Sequence, residues 1–166
     1  MSYWQQFVAA DFNVPERLEA EGFHLRMLTV NDLVKDYDAV MSSVEVLKGH
    51  LSPTSSWPEG LTIEDDLIDL GWHQREFLRR RSFSYTVMSP DETICLGCCY
   101  IYPSEKYGFD AQAFWWVRTS ALSSGLDEKL GKVFQEWLRD RWPFKQVAFP
   151  GRYISWSDWT SMEQLP

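Results

Sequence analysis

Residues 111–141 read AQAFWWVRTSALSSGLDEKLGKVFQEWLRDR, and this stretch decides the fold. Its first eight residues, up to Arg118, are rich in aromatic and branched side chains and predict a strand, which a short polar loop follows. From Leu126 to Arg141, apolar residues recur every three or four positions and predict a helix. Residues 145–149, KQVAF, predict a further strand. A helix between two strands usually makes a right-handed crossover, which leaves those strands parallel.

The residues before this unit predict an antiparallel hairpin. In residues 82–87, SFSYTV, apolar and polar side chains alternate, as in a strand with one polar face. Residues 90–92, PDE, predict a turn. Residues 94–102, ICLGCCYIY, are almost continuously apolar, which is typical of a strand covered on both faces.

Two helices are predicted before the hairpin. Thr29 with Asp32, and Thr62 with Asp65, stand at the spacing of a capping box, in which each side chain satisfies a backbone amide at a helix start. An apolar stripe at helical spacing follows each pair, so we expect one helix over residues 33–47 and a second after Thr62. The residues between them are rich in Ser, Pro and Gly and predict a loop.

The chain of 166 residues fits a single domain. Residues 23–150 hold the predicted elements and begin with the alternating strand FHLRMLTV. Residues 1–22 are predicted to be an N-terminal extension laid across the domain, and residues 151–166 a Trp-rich tail without a clear pattern. The fold class is therefore α/β (α+β), with a mixed, mostly antiparallel sheet of about five strands.

Charge and hydropathy exclude several classes of function. Twenty-four acidic and 16 basic residues give a net charge of −8, which repels phosphate backbones and anionic lipid, so we expect neither nucleic-acid nor membrane binding. The one basic run, at residues 79–81, ends a predicted helix, where cations are stabilising. No apolar stretch approaches the ~20 residues that span a bilayer, and no signal peptide is evident, so the sequence predicts a cytoplasmic protein.

The three cysteines predict neither a disulfide framework nor a metal site. Cys95, Cys98 and Cys99 crowd into one apolar run, and no second Cys or His pair follows at ligand spacing. A free cysteine packs as a small hydrophobe, so we interpret all three as buried core residues. A cysteine-based enzyme would need a His or Asp partner near Cys98, and the local sequence supplies none.

The order of elements resembles the GNAT superfamily, the acyl-CoA-dependent N-acetyltransferases. Residues 25–32, LRMLTVND, look like the family's opening strand, and residues 94–97, ICLG, look like the hydrophobic–x–hydrophobic–Gly pattern of its third strand. The resemblance covers roughly residues 23–150. It implies a three-layer GNAT-like fold with helices on both faces of the sheet, and acetyl-CoA as cofactor.

The family binds the pyrophosphate of the cofactor at a Gln/Arg-x-x-Gly-x-Gly/Ala loop before its third helix, where unpaired backbone amides and the helix dipole favour an anion. That motif falls on residues 122–127, LSSGLD, where only the middle glycine is kept. A backbone amide of the family's fourth strand usually holds the thioester carbonyl. The resemblance therefore implies cofactor-binding positions at Trp116, Val117, Ser123, Ser124, Gly125 and Leu126.

Asp127 stands where the family has a small residue. Two interpretations are open. Its carboxylate either caps the helix, together with Glu128, or occupies the same first-turn amides that a pyrophosphate would use.

The resemblance also suggests catalytic candidates. A tyrosine after the family's fifth strand often acts as the acid, and Tyr153 follows the last predicted strand here. Asp110 and Glu105, at and before the start of the family's fourth strand, are candidates for the base that deprotonates the amine. Both acids also fit the simpler interpretation of solvated loop residues.

Several residues have both a structural and a substrate-binding interpretation. Residues 114–116, FWW, either fill the core on alternating faces or place one ring in the cleft. His50 and Trp57 lie in the loop that shapes the family's acceptor pocket, and they fit a surface loop equally. His73 is expected to be a partly exposed helix residue rather than a base.

Two functions follow from the resemblance. The first is an N-acetyltransferase that transfers an acetyl group from acetyl-CoA to a small-molecule or protein amine. The second is a catalytically inactive GNAT-like module that binds a ligand or partner through the same cleft or through an exposed tail carrying Trp156 and Trp159. Many members of the family dimerise, so the resemblance is also compatible with a homodimer.

Overall fold

The computed structural model of the protein describes residues 6–166. Six strands form one open sheet, and their order across the sheet is their order along the chain. Each of the first five strands is antiparallel to its neighbour, whereas the last is parallel to the fifth. The predicted hairpin and the predicted parallel crossover are both confirmed. The strands are β1 (Arg17–Ala20), β2 (Phe23–Met27), β3 (Phe83–Met88), β4 (Cys95–Pro103), β5 (Ala111–Val117) and β6 (Val147–Ala148).

Helices cover both faces of the sheet, as the GNAT-like fold requires. One face carries the apolar side of α5, and the other carries α1 and most of α3, so the core is divided into two clusters by the sheet. None of the helices in residues 6–166 is long and apolar enough to cross a membrane. The helices are α1 (Leu33–Met41), α2 (Val44–Leu47), α3 (Ile63–Leu78), α4 (Thr119–Leu122), α5 (Leu126–Arg141) and α6 (Trp156–Ser161).

Both predicted capping boxes are present. Thr29 and Asp32 cap the short 3-10 turn that leads into α1, and Thr62 and Asp65 cap α3. In each pair the threonine hydroxyl accepts a backbone N–H and the acid accepts the N–H of the threonine, so local sequence alone fixes where these helices begin.

Four elements differ from the prediction. The polar edge strand β1 lies within the stretch predicted as an extension. It was not predicted as a strand because only every second of its residues is partly buried, which leaves a weak apolar alternation. The helix predicted over 33–47 is broken into α1 and α2 at Ser43, whose side chain accepts a hydrogen bond from the Thr119 backbone, 3.0 Å away. The loop after β5 contains α4, and the tail contains α6.

The arginine run after α3 does more than end a helix. Arg80 has a positive φ of 60°, and its guanidinium donates hydrogen bonds to the carbonyls of Ala9 and Phe12. Those contacts fasten the segment before β1 to the end of α3. The run therefore has a tertiary role that charge at a helix terminus does not predict.

A β-bulge interrupts the β3–β4 hairpin. Val87 pairs with Gly97 but Met88 pairs with Cys95, so Leu96 is an extra residue on β4. At the bulge, Gly97 approaches β5 so closely that an added Cβ would lie 2.0 Å from the carbonyl oxygen of Trp116. Only glycine fits there, which gives a physical reason for the glycine of the ICLG motif.

Candidate active site

The candidate site begins where β5 and β6 separate. The two strands pair only at Ala111 with Val147 and at Gln112 with Ala148, after which the turn at Pro150 and Gly151 carries the chain away. The backbone of β5 beyond Gln112 is therefore free of β6, and the gap starts nearer the beginning of the strand than Trp116 or Val117.

Arg152 fills this gap. Its guanidinium carbon lies 4.1 Å above the centre of the Trp115 ring, and Nη2 donates to the Trp115 carbonyl at 3.0 Å. The same guanidinium binds both carboxylate oxygens of Asp127, at 2.7 and 2.8 Å. Such a bidentate pair is strong and geometrically specific. The ion pair thus bridges the β5 edge and the first turn of α5.

This contact answers the question that the sequence left open about Asp127. α5 has Gly125 as its N-cap and no side-chain cap hydrogen bond, while Asp127 and Glu128 lie in its first turn, where acids stabilise a helix. The carboxylate turns instead to Arg152, which sits 25 positions further along the chain. In this structure the Asp127 carboxylate at the helix start is paired with Arg152.

His50 also contacts the Trp115 carbonyl: its Nε2 lies 2.8 Å from the carbonyl oxygen. Burial lowers the pKa of His50 below its usual value, so the ring is neutral near pH 7 and the Nε2–H donates to the carbonyl. Arg152 Nη2 lies 3.4 Å from the same nitrogen, but two donors do not bond. His50 is thus half-buried in the gap, and the surface-loop interpretation is wrong for it.

The glycine-containing loop before α5 keeps some of the properties of an anion site. Gly125 has a φ of 78°, and an added Cβ there would meet nothing within 4 Å. The amides of Leu126 and Asp127 lie in the first helical turn and have no intrahelical acceptor. In contrast, the amides of Ser124 and Gly125 already donate to the carbonyls of Ala121 and Leu122 in α4. Fewer amides face outward than an unstructured loop would offer.

The side chains of Trp116 and Val117 belong to the core rather than to the gap. Trp116 is 1% exposed, and its indole Nε1 donates to the Tyr100 hydroxyl at 2.8 Å. Val117 is buried on the opposite face, with Trp115. The core interpretation of the FWW stretch holds for both tryptophans, although the Trp115 ring also forms the floor beneath Arg152.

An open groove of about 1200 Å³ lies on the α1 face of the same strand. Phe114 lines both this groove and the small hollow around Arg152 and His50, so the two are neighbours. The groove is bordered by the loop after α2, by the ends of β4 and β5 and by the tail. Its aromatic lining consists of Tyr100, Tyr102, Phe114, Trp156 and Trp159.

The tail forms one wall of this groove. The backbone N–H of Leu165 donates to the Glu105 carbonyl at 2.8 Å, and Lys106 Nζ donates to the Met162 carbonyl, also at 2.8 Å. Trp159 is only 5% exposed and Trp156 is half-buried. The expectation of an exposed tail is therefore wrong, because these contacts fold the tail back onto the loop between β4 and β5.

The three catalytic candidates have separate surroundings. Tyr153 is 68% exposed at the α5 side of the gap, with its hydroxyl 2.9 Å from Gln135 Nε2. Asp110 accepts the backbone N–H groups of Lys145 and Gln146, at 2.7 and 2.9 Å. Glu105 is exposed and lines the groove. The structure does not bring the three together at one point.

His73 packs against Tyr100, one of the residues that line the groove. Its Nδ1 is 2.8 Å from the Ser84 hydroxyl, and its ring packs on Tyr100 with centroids 5.5 Å apart. Burial lowers the pKa of His73 to about 4. As expected, this histidine is a partly exposed helix residue, and it is not a base with a pKa near 7.

We expect His73 to make the stability pH-dependent. Because its folded-state pKa lies below the unfolded value of 6.5, the unfolded chain binds the proton more tightly, and stability is lost as the pH falls from 6.5 towards 4. Each pH unit in that window costs about 1.4 kcal/mol. Between pH 7 and pH 5, the wild type should therefore lose up to about 2 kcal/mol more than His73→Asn does. Urea unfolding followed by tryptophan fluorescence measures both changes, and equal pH dependence of the two proteins would contradict the assignment.

No protein-family model and no curated protein matches the chain, but solved structures do. A Vibrio cholerae structure assigned as a ribosomal-protein-serine acetyltransferase superposes with a TM-score of 0.60 at 11% identity, over 81% of this chain and 70% of that one. A Bordetella pertussis structure assigned to the GNAT acetyltransferases gives 0.56 at 14% identity, over 76% and 73%. A ribosomal L7/L12 alpha-N-protein acetyltransferase in complex with coenzyme A gives 0.54 at 15% identity, over 72% and 66%.

The chain thus has the fold of the GNAT acetyltransferases, as the order of its elements predicted. The loop before α5 was predicted from the sequence, but the role of Arg152 was not. A lone arginine after a strand carries no signal, since its partner Asp127 is remote in sequence.

Proposed function

We propose that the chain is an N-acetyltransferase that uses acetyl-CoA and acts on a protein amine. The observation that carries the proposal is the gap between β5 and β6, which has the first turn of α5 at one end and the aromatic groove at the other. The ribosomal-protein acetyltransferases with the same fold support a protein acceptor. A net charge of −8 favours the approach of a cationic ammonium.

The residues present fit a pyrophosphate at the loop once Arg152 moves. Gly125 leaves open space for a phosphate, and the first-turn amides of Leu126 and Asp127 point outward with the helix dipole behind them. Ser123 and Ser124 contribute small side chains beside it. Acetyl-CoA supplies the acetyl group as an activated thioester. When the Arg152 guanidinium leaves Asp127, its positive charge can bind the same pyrophosphate.

The acceptor amine enters from the groove. Glu105 has an exposed carboxylate on the groove wall and is proposed as the base that takes the ammonium proton. Asp110 is the weaker candidate, because its carboxylate already accepts two backbone amides. Tyr153, exposed at the α5 side of the gap, holds a hydroxyl proton for the departing group. The aromatic lining suits an apolar side chain next to the amine.

Titration calorimetry with acetyl-CoA and with CoA tests the proposal. Saturable binding in the micromolar range supports it, and acetylation of peptides with different N-terminal residues should then be followed by mass spectrometry. Absence of binding up to millimolar acetyl-CoA would instead support a GNAT-like module without catalytic activity. That second function is favoured by one observation, the tight packing of Arg152 in the gap.

Asp127→Asn should tighten CoA binding by about tenfold. The substitution keeps the shape of the side chain but removes a negative charge from the helix start and loosens its hold on Arg152. The pair is partly exposed, with side-chain exposures of 22% and 31%, so only a small loss of stability is expected. Asp140→Asn removes an exposed acid at the other end of α5 and serves as the matched control. Unchanged affinity in Asp127→Asn would show that the ion pair does not compete with the cofactor.

A further inference from the structure

The bulge on β4 changes which way Cys95 faces. In a regular strand, side chains three positions apart point to opposite faces. The extra residue Leu96 shifts this alternation, so Cys95 and Cys98 both lie in the core cluster on the α1 side. Cys99 points to the other face, into the cluster beneath α5. Two thiols of a Cys-x-x-Cys spacing are thereby brought together, which a strand without a bulge would prevent.

A carboxylate meets these thiols from α1. Cys98 Sγ lies 3.4 Å from Asp36 Oδ1, and the donor atoms of Asp36, Cys95 and Cys98 all lie within 4.8 Å of one another. The three residues are 4%, 1% and 0% exposed. This acidic partner of Cys98 was not predicted from the sequence, because Asp36 precedes it by 62 positions.

The separation of Cys98 and Asp36 matches the spacing of two zinc ligands. Zinc binds thiolate sulfur at about 2.3 Å and carboxylate oxygen at about 2.0–2.2 Å in a tetrahedral arrangement. Those bond lengths place a sulfur and an oxygen ligand about 3.5 Å apart and two sulfurs about 3.8 Å apart. The Cys98–Asp36 distance of 3.4 Å agrees with the first value.

A second buried acid lies beside the three donors. Asp66 of α3 is 3% exposed and shares a hydrogen bond with Asp36. Its Oδ2 is buried and has no hydrogen-bond partner among residues 6–166. An unpartnered buried carboxyl oxygen costs several kcal/mol unless a proton partner or a cation compensates it. Asp66 contacts Asp36 and lies outside the group of three donors that are mutually within 4.8 Å.

We propose that Asp36, Cys95 and Cys98 bind a structural zinc ion as three of its ligands. The ion would join α1 to the bulge of β4 on the groove side of the sheet. It would be inserted as the chain folds, because the ligands are enclosed in the finished core. This site is independent of the proposed acetyl transfer and makes no contact with the gap at Arg152.

The test is the metal content of protein purified without chelators, measured by inductively coupled plasma mass spectrometry. We expect one zinc per chain in the wild type and its loss in Cys95→Ala and in Cys98→Ala. Cys99→Ala is the matched control, since this residue is equally buried on the same strand but faces the other side. It should retain the metal.

Cobalt substitution of the wild type keeps the test valid if the variants fail to fold. A thiolate-to-cobalt charge-transfer band in the near ultraviolet, together with the visible bands of tetrahedral cobalt, is the expected result. Zinc far below one per chain together with no cobalt band would overturn the proposal. Full retention of zinc in folded Cys98→Ala would overturn it as well, because the metal would then lie elsewhere.

Discussion

Acetyl-CoA binding should fall by about a hundredfold or more when Gly125 is replaced by aspartate. The new carboxylate would stand at the N-cap of α5, where the amides of the first turn point at the proposed pyrophosphate. Two unit charges 4 Å apart near a protein surface repel by about 4 kcal/mol, which is ample for such a loss. Titration calorimetry of the variant against the wild type measures it.

The variant should remain folded, which makes its binding defect interpretable. An added Cβ at Gly125 meets no atom within 4 Å, and aspartate tolerates the left-handed backbone that a φ of 78° requires. Gly60→Asp is the matched control, because Gly60 also has a positive φ of 73° and open space around it. If both variants bound acetyl-CoA as the wild type does, the cofactor would not use the start of α5.

Gly97→Ala should have the largest effect on stability, a loss of more than about 3 kcal/mol. The added methyl would lie 2.0 Å from the Trp116 carbonyl oxygen and 3.1 Å from the Val117 Cα. Both are backbone atoms of β5, so the strand itself would have to move. A loss of this size is a large part of the stability of an ordinary domain. Denaturant unfolding measures it.

Gly71→Ala provides the contrast. Gly71 lies inside α3, and its added methyl would approach only Val30 Cγ1, at an ordinary 3.8 Å. Alanine favours a helix interior over glycine by about 1 kcal/mol, so this variant should be slightly more stable. Similar behaviour of the two alanine variants would mean that β4 and β5 can separate at the bulge without cost.

The parts of the fold that could be predicted are those whose signal is local. Apolar periodicity predicted α3, α5 and the hairpin, and the two capping boxes predicted where two helical segments begin. β1 was missed because a polar edge strand has no such pattern. The break between α1 and α2 depends on Ser43 meeting the Thr119 backbone, and no local pattern encodes that contact.

The candidate site was predictable to the extent that its parts are contiguous. The loop before α5 and the aromatic strand before it could be recognised in one stretch of sequence. The Arg152–Asp127 ion pair and the meeting of Asp36 with Cys98 could not, because each joins residues that only the folded sheet brings together. The bulge at Leu96 was hidden for the same reason: it is a property of the pairing of two strands, not of either one.

The way the tail closes the groove has a consequence for what the groove accepts. One wall of the groove comes from the last part of the described chain and is fastened to the body through Glu105 and Lys106. The opposite wall belongs to the sheet, where substitutions disturb the core. Substitutions at Trp156 or Trp159 would therefore change what the groove accepts without touching the strands of the sheet.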